Sequence, residues 1–283
     1  MSFNRRECDL YRPAQLTTQV SREERSRLRL LLAIVSVLLL LQVTTAIAAG
    51  WADTRRVGRV VVASEVRLDR FVGIVNIIEQ HEADVLATLD LAATQAPIEI
   101  YILAGRKSYA EFVGRQAPTA INRRAAFAKN EDGIGRVFVY IHEDFEVDLR
   151  HELTHAVLHS SLPFVPLWLD EGIAEYFEVT AEDRPSRNPH QARLKWAMRL
   201  LWRPNLERLE QKTSLSEMSQ EDYRESWAWV HFLLHGPNDV QRVLPDYLRS
   251  IQSGDPPGPL SKTLDAKIPN AGRRMVTHLK SWK

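Results

Sequence analysis

From Leu30 to Ala49 the chain runs 20 residues without a charge. A helix of that length rises about 30 Å, the thickness of a bilayer's hydrocarbon core. The arm before it, residues 1–29, carries Arg5, Arg6, Arg12, Arg22, Arg25, Arg27 and Arg29, a bias that keeps such an arm on the cytoplasmic side. Arg55, Arg56 and Arg59 on the far side weaken that bias. The pattern reads as a single uncleaved transmembrane anchor, 30–49, with everything after it extracytoplasmic in the cell envelope. Ala46-Ile47-Ala48 also offers an A-x-A cleavage site, and cleavage there would leave a secreted or periplasmic protein.

After the anchor, residues 50–59 read as a short stalk and 60–283 as one folded domain. Leu68, Phe71, Val75, Ile78, Val85 and Leu89 have the spacing of one or two helices. Pro97 to Leu103 alternates like a strand, and Arg136 to Ile141 predicts a second. Residues 114–135, rich in turn formers, read as a loop or hairpin. Leu149, Leu153, Ala156 and Val157 form one apolar helical stripe, and Leu169, Ile173, Tyr176 and Phe177 form another. Ser219 with Asp222 makes a capping box, and Gly236-Pro237 closes the helix that it starts. Gly254 to Pro259 is a late loop. The class is α+β: a small sheet lobe, two central helices, then a helical lobe, with a cleft between.

The chemistry sits on the two central helices. The first carries His151-Glu152-Leu153-Thr154-His155, and the second carries Glu171. Positions i and i+4 of a helix share a face about 6 Å apart, so both imidazoles can address one ion. Glu152 lies roughly 100° round the helix, placed to reach a water at that ion rather than the ion itself. Catalytic zinc takes three protein ligands, and Glu171 is the candidate third. The connection 160–167 is short enough for antiparallel packing, which would bring Glu171 to the histidines. His159 continues the ligand face and reads as rim or support.

Those residues resemble a known family. The run from His151 to Glu178 is similar to the gluzincin metallopeptidases, the thermolysin-type clan, and more closely to the small bacterial peptidase-MA-like proteins. Pro166, Leu167, Trp168, Leu169, Glu171, Gly172, Ala174, Glu175 and Tyr176 match that group's pattern. The likeness is strong over about 30 residues and weaker from about 97 to 250. It implies a zincin-like fold, with His151, His155 and Glu171 as Zn2+ ligands and Glu152 as catalytic base. By analogy with thermolysin-like enzymes it pairs Glu175 with His151 as an orienting carboxylate. The 15 residues between His155 and Glu171 leave no room for the inserts of larger gluzincins.

The expected reaction is peptide-bond hydrolysis, with Glu152 taking a proton from the attacking water and passing it to the leaving amine. A donor for the developing oxyanion is expected on the helix after Ser219, with Tyr223 the first choice and His231 the second. Tyr223 shares helical spacing with Trp227, Val230 and Leu234, so a core role is the alternative. The strand 136–141 could bind substrate backbone as a sheet edge, or lie inside the sheet. Two other functions stay open: a zinc-binding scaffold without turnover, and an amidase acting on a cell-wall amide.

Composition narrows this further. A formal net charge of +1 gives no reason to invoke nucleic acid. The single cysteine, Cys8, precedes the apolar run, which excludes a disulfide framework or a Cys-ligated metal in the main domain. At 45% hydrophobic residues, a sizeable core is available. The partners expected are a peptide or protein substrate and the membrane.

Overall fold

The structure, a computed structural model, describes residues 50–71, 73–184, 190–200, 202–255 and 257–282. The chain divides into two units, Met1–Ala46 and Ile47–Lys283, and the fold described is that of the second. The basic arm 1–29 and the charge-free run 30–49 lie outside the described residues. Among the described residues, no helix is long and apolar enough to cross a membrane.

The sheet begins earlier than expected. Residues read as stalk form β1 (Asp53–Val57), which pairs antiparallel with β2 (Val60–Ser64). Gly58, at φ 59°, supplies the left-handed residue that this two-residue turn requires. The strand escaped notice because it is an outer one: only Val57 is buried, and Asp53 to Arg56 show no apolar alternation.

The chain then forms helix α1 (Ile74–Leu89), strand β3 (Ile98–Leu103), helix α2 (Arg106–Gln116), and the hairpin of β4 (Ala125–Lys129) and β5 (Gly135–Tyr140). The strands lie in the order β1-β2-β3-β5-β4. β2, β3 and β5 run parallel, and β1 and β4 are antiparallel to their neighbours. The expectation that 136–141 could form an edge is therefore corrected. β5 pairs on both sides, and β4, within the segment read as loop or hairpin, is the edge. Its alanines have weak strand preference, so it is held by its ladder to β5.

Period-two alternation divides the sheet's faces. Ile98, Ile100, Ile102, Val137 and Val139 pack in the main core with Ile78 and Val85 of α1. Leu103, Phe138 and Tyr140 pack on the other face with Tyr109 and Val113 of α2. Two central helices follow, α3 (Phe145–Ser161) and α4 (Leu167–Phe177). Their stripes behave as read: Leu149, Leu153, Ala156 and Val157 are fully buried, as are Leu169, Ile173 and Phe177.

The helical half comprises α5 (Gln191–Arg199), α6 (Leu206–Glu210), α7 (Gln220–His235), α8 (Asn238–Gln241), α9 (Val243–Gln252), α10 (Leu260–Lys267) and α11 (Ala271–Ser281). α7 starts at the expected capping box: Asp222 N–H donates to Ser219 Oγ, and Ser219 N–H donates to Asp222 Oδ2. The protein is thus α+β, with one five-stranded sheet and a helical C-terminal part.

Candidate metal centre

α3 and α4 pack antiparallel, as their cross-contacts show. Asp170, early in α4, reaches His155 and His159 late in α3, whereas Glu178, just past α4, reaches His151. This register brings Glu171 between the two histidines. His151 Nε2 lies 3.7 Å from Glu171 Oε2, and His155 Nε2 lies 3.9 Å from Glu171 Oε1. Both separations exceed the 2.7–3.2 Å of a hydrogen bond. They approach the roughly 3.4 Å that separates ligand atoms placed about 2.05 Å from a tetrahedral zinc. His151, His155 and Glu171 therefore form a group that could hold a metal ion, with ligand atoms within 4.8 Å of one another.

The far side of each ring supports the same reading. His155 Nδ1–H donates to Asp170 Oδ1 at 2.9 Å, and His151 Nδ1–H donates to Glu178 Oε2 at 3.2 Å. Both bonds engage Nδ1 as the donor and aim Nε2 at Glu171, so that Nε2 is the nitrogen a metal ion would take on displacing its proton, as carboxylates commonly arrange for metal-binding histidines. His159 Nε2–H donates to the second oxygen of Asp170 at 2.8 Å, so one carboxylate holds two rings. Two further groups, His155 with His159 and Asp170, and His151 with Glu175 and Glu178, are also close enough for an ion. Each already contains direct ring–carboxylate contacts of 2.8–3.2 Å, so the trio containing Glu171 fits best.

The pairing of Glu175 with His151 is corrected. Glu175 Oε2 accepts instead from His190 Nε2 at 2.7 Å. Glu178, one turn further on, is the carboxylate that meets the Nδ1 side of the His151 ring. Glu178 shares a helical face with Glu171 and Glu175, a signal legible in the sequence. Asp170 precedes Glu171 directly and carries no periodic signal of its own.

The electrostatics are those of a cation site. Asp170, Glu171, Glu175, Glu178 and Glu152 cluster around the rings. Burial alone would push His155 down, but Asp170 and Glu171 raise it to about 9. His151 is likewise raised despite burial, by Glu171 and Glu178. Burial pushes Asp170 up, yet its two imidazole partners hold it well below the usual carboxylate range. Glu152 is buried and raised, chiefly by that burial, and among the described residues its carboxylate accepts no hydrogen bond.

Surrounding residues set the frame. His81 of α1 donates from Nε2 to Thr154 Oγ1 at 2.8 Å, and Thr154 in turn donates to the Arg150 carbonyl. A histidine given no role by sequence thus ties α1 to the ligand helix. Phe127 of β4 stacks on the rings of His155 and His159, with centroids 6.2 and 5.2 Å apart.

Tyr223 is half-buried and lies toward the site. Burial raises its hydroxyl to about 12, with Glu171, Glu175 and Glu152 adding to the rise. Arg123, on the turn entering β4, places its charge near Tyr223, Tyr109 and Glu152. Sequence reading gave it no role. His231, the second choice as donor, points elsewhere: its Nδ1 meets His278 Nε2 at 3.1 Å, and its ring packs on Trp227 and Trp282.

No protein-family model matches the chain, and no curated protein matches it.

Proposed function

We propose that the protein is a zinc-dependent peptidase with a gluzincin-like catalytic domain of zincin type. It would hydrolyse a protein or peptide on the extracytoplasmic side of a membrane in which residues 30–49 anchor it. The observation that carries this reading is Glu152, a buried carboxylate that accepts no hydrogen bond among the described residues, directly after His151 of the His151–His155–Glu171 donor set. A structural zinc site closes with four ligands and has no need of such a carboxylate.

Zinc held by His151, His155 and Glu171 would lower the pKa of a water toward 7 and polarise a carbonyl. The protein's own groups would do the rest. Glu152, raised by burial, accepts the proton of the attacking water and returns it to the leaving amine, as a base tuned toward neutrality does best. Tyr223 keeps its proton through the neutral range and donates to the oxygen on which charge develops. The outer edge of β4, beside α3, supplies unpaired backbone groups to which an extended substrate can add as a strand.

The test is hydrolysis of an unfolded protein by the zinc-loaded full chain, beside Glu152→Gln and Glu171→Ala. Glu152→Gln is expected to bind one zinc and lose at least about a hundredfold in rate, whereas Glu171→Ala is expected to lose the zinc. Full activity in Glu152→Gln would remove the assigned base. Bound zinc with no cleavage by the wild type would favour the scaffold reading.

A further inference from the structure

The surface of α5 does not suit a helix facing water. Trp196 and Leu200 are 63% and 61% exposed, above the other exposed large apolar residues, Ile121 at 40% and Phe164 at 42%. Ala192, Trp196 and Leu200 fall at i, i+4 and i+8, and all three are exposed, while Leu194 and Met198 turn into the core. An apolar stripe thus faces outward on a helix already packed by its opposite side.

The charged residues beside it on α5 are positive. Arg193, Lys195 and Arg199 flank the stripe and are exposed, and no Asp or Glu occurs from His190 to Leu206. Directly beside α5 opens a cleft of about 420 Å³ between α5, the segment after it and α11. Met198, Trp202 and Val276 give it apolar walls, Arg203, Arg273 and Lys280 line it, and no carboxylate does. Among the described residues, none of those three cations has a side-chain hydrogen bond or ion pair. Arg274, next to Arg273, by contrast bonds both oxygens of Asp239 at 2.7 Å.

An outward tryptophan and leucine, flanking cations and an acid-free cationic cleft are the parts of a surface that binds an anionic lipid interface. Trp rings settle at the headgroup level, and long basic side chains reach phosphates while their stems cover apolar surface. We infer that α5 and the Arg203–Arg273–Lys280 cleft dock on an anionic bilayer, with Trp196 and Leu200 in the interface and a lipid phosphate among the cations. The occupant is a bilayer rather than a soluble acidic partner because the exposed stripe is apolar and sits within the positive field. The charge-free run 30–49 supplies a reason for the domain to meet such a surface. The inference is independent of the metal site.

The test uses the full chain reconstituted in phosphatidylcholine vesicles, with or without phosphatidylglycerol as about a third of the lipid. Amide hydrogen exchange of 191–200 and 272–280 is compared between the two. Phosphatidylglycerol is expected to slow exchange there by about fivefold or more, an effect lost in high salt. The triple variant Arg203→Glu, Arg273→Glu, Lys280→Glu is expected to remain in the vesicles, keep its unfolding temperature and lose the lipid dependence. Lipid carrying acyl-chain bromines is expected to quench wild type more than Trp196→Phe only when phosphatidylglycerol is present.

Equal exchange in both lipids would overturn the inference. Protection in phosphatidylcholine that grows with protein density would assign the face to a second copy. Protection by inorganic phosphate without vesicles would assign the cleft to a soluble anion.

Discussion

Gly172 lies against the backbone of Ser226 so closely that a Cβ would come within 2.7 Å of the Ser226 carbonyl oxygen. The glycine follows Glu171 directly, so a shift of α4 away from α7 would move the Glu171 carboxylate relative to the histidines. Backbone cannot yield as a flexible side chain can, so Gly172→Ala must push the helices apart. Such overpacking typically costs about 1–3 kcal/mol. The expected outcome is a lower urea midpoint together with weaker zinc retention against a chelator. Unchanged values of both would mean that the contact does not set the position of Glu171.

Asp170 supports two rings at once, at 2.9 Å to His155 and 2.8 Å to His159. Asp170→Asn keeps the shape but removes the charge that holds His155 in its tautomer. Zinc affinity is expected to fall by about 10- to 100-fold, the usual range for groups that orient a ligand. His159→Ala, which leaves the His155 bond in place, is expected to do much less. Competition with a fluorescent chelator measures both.

Under the proposed mechanism Tyr223 donates rather than titrates. Its hydroxyl is raised to about 12, so no loss of activity below pH 10 should trace to it. Tyr223→Phe is expected to reduce turnover at least about tenfold with zinc content unchanged. An unaltered rate would return Tyr223 to a packing role.

The interior histidine cluster predicts acid lability. Burial pushes His231 from 6.5 down to about 2, with His235 and His278 adding to the effect. It stays neutral in the folded state while its unfolded counterpart takes up a proton below about 6.5. The unfolded state then binds more protons, so stability falls as pH falls, by about 1.4 kcal/mol per unit for this one group. No such loss is expected above pH 6.5. In urea unfolding from pH 7.5 to 5, His231→Phe should reduce the slope of stability against pH by about one proton relative to wild type.

Local spacing was enough to place helices α3 and α4, the candidate ligands on them and the capped helix α7. Each depends on spacing within a single helix: His151 and His155 share a face because they are four apart, and Ser219 caps because Asp222 is three on. What those residues meet depends on packing. The antiparallel register of α3 and α4 gave His151 to Glu178 and left Glu175 to His190. The strand order put β5 inside the sheet and β4 at its edge, and the hairpin at Gly58 turned an expected stalk into β1. The packing of α7 left Tyr223 within the field of Glu171, Glu175 and Glu152 and set His231 against His278, Trp227 and Trp282. These relationships join residues far apart in the chain, so they rest on packing and pairing geometry that no local periodicity encodes.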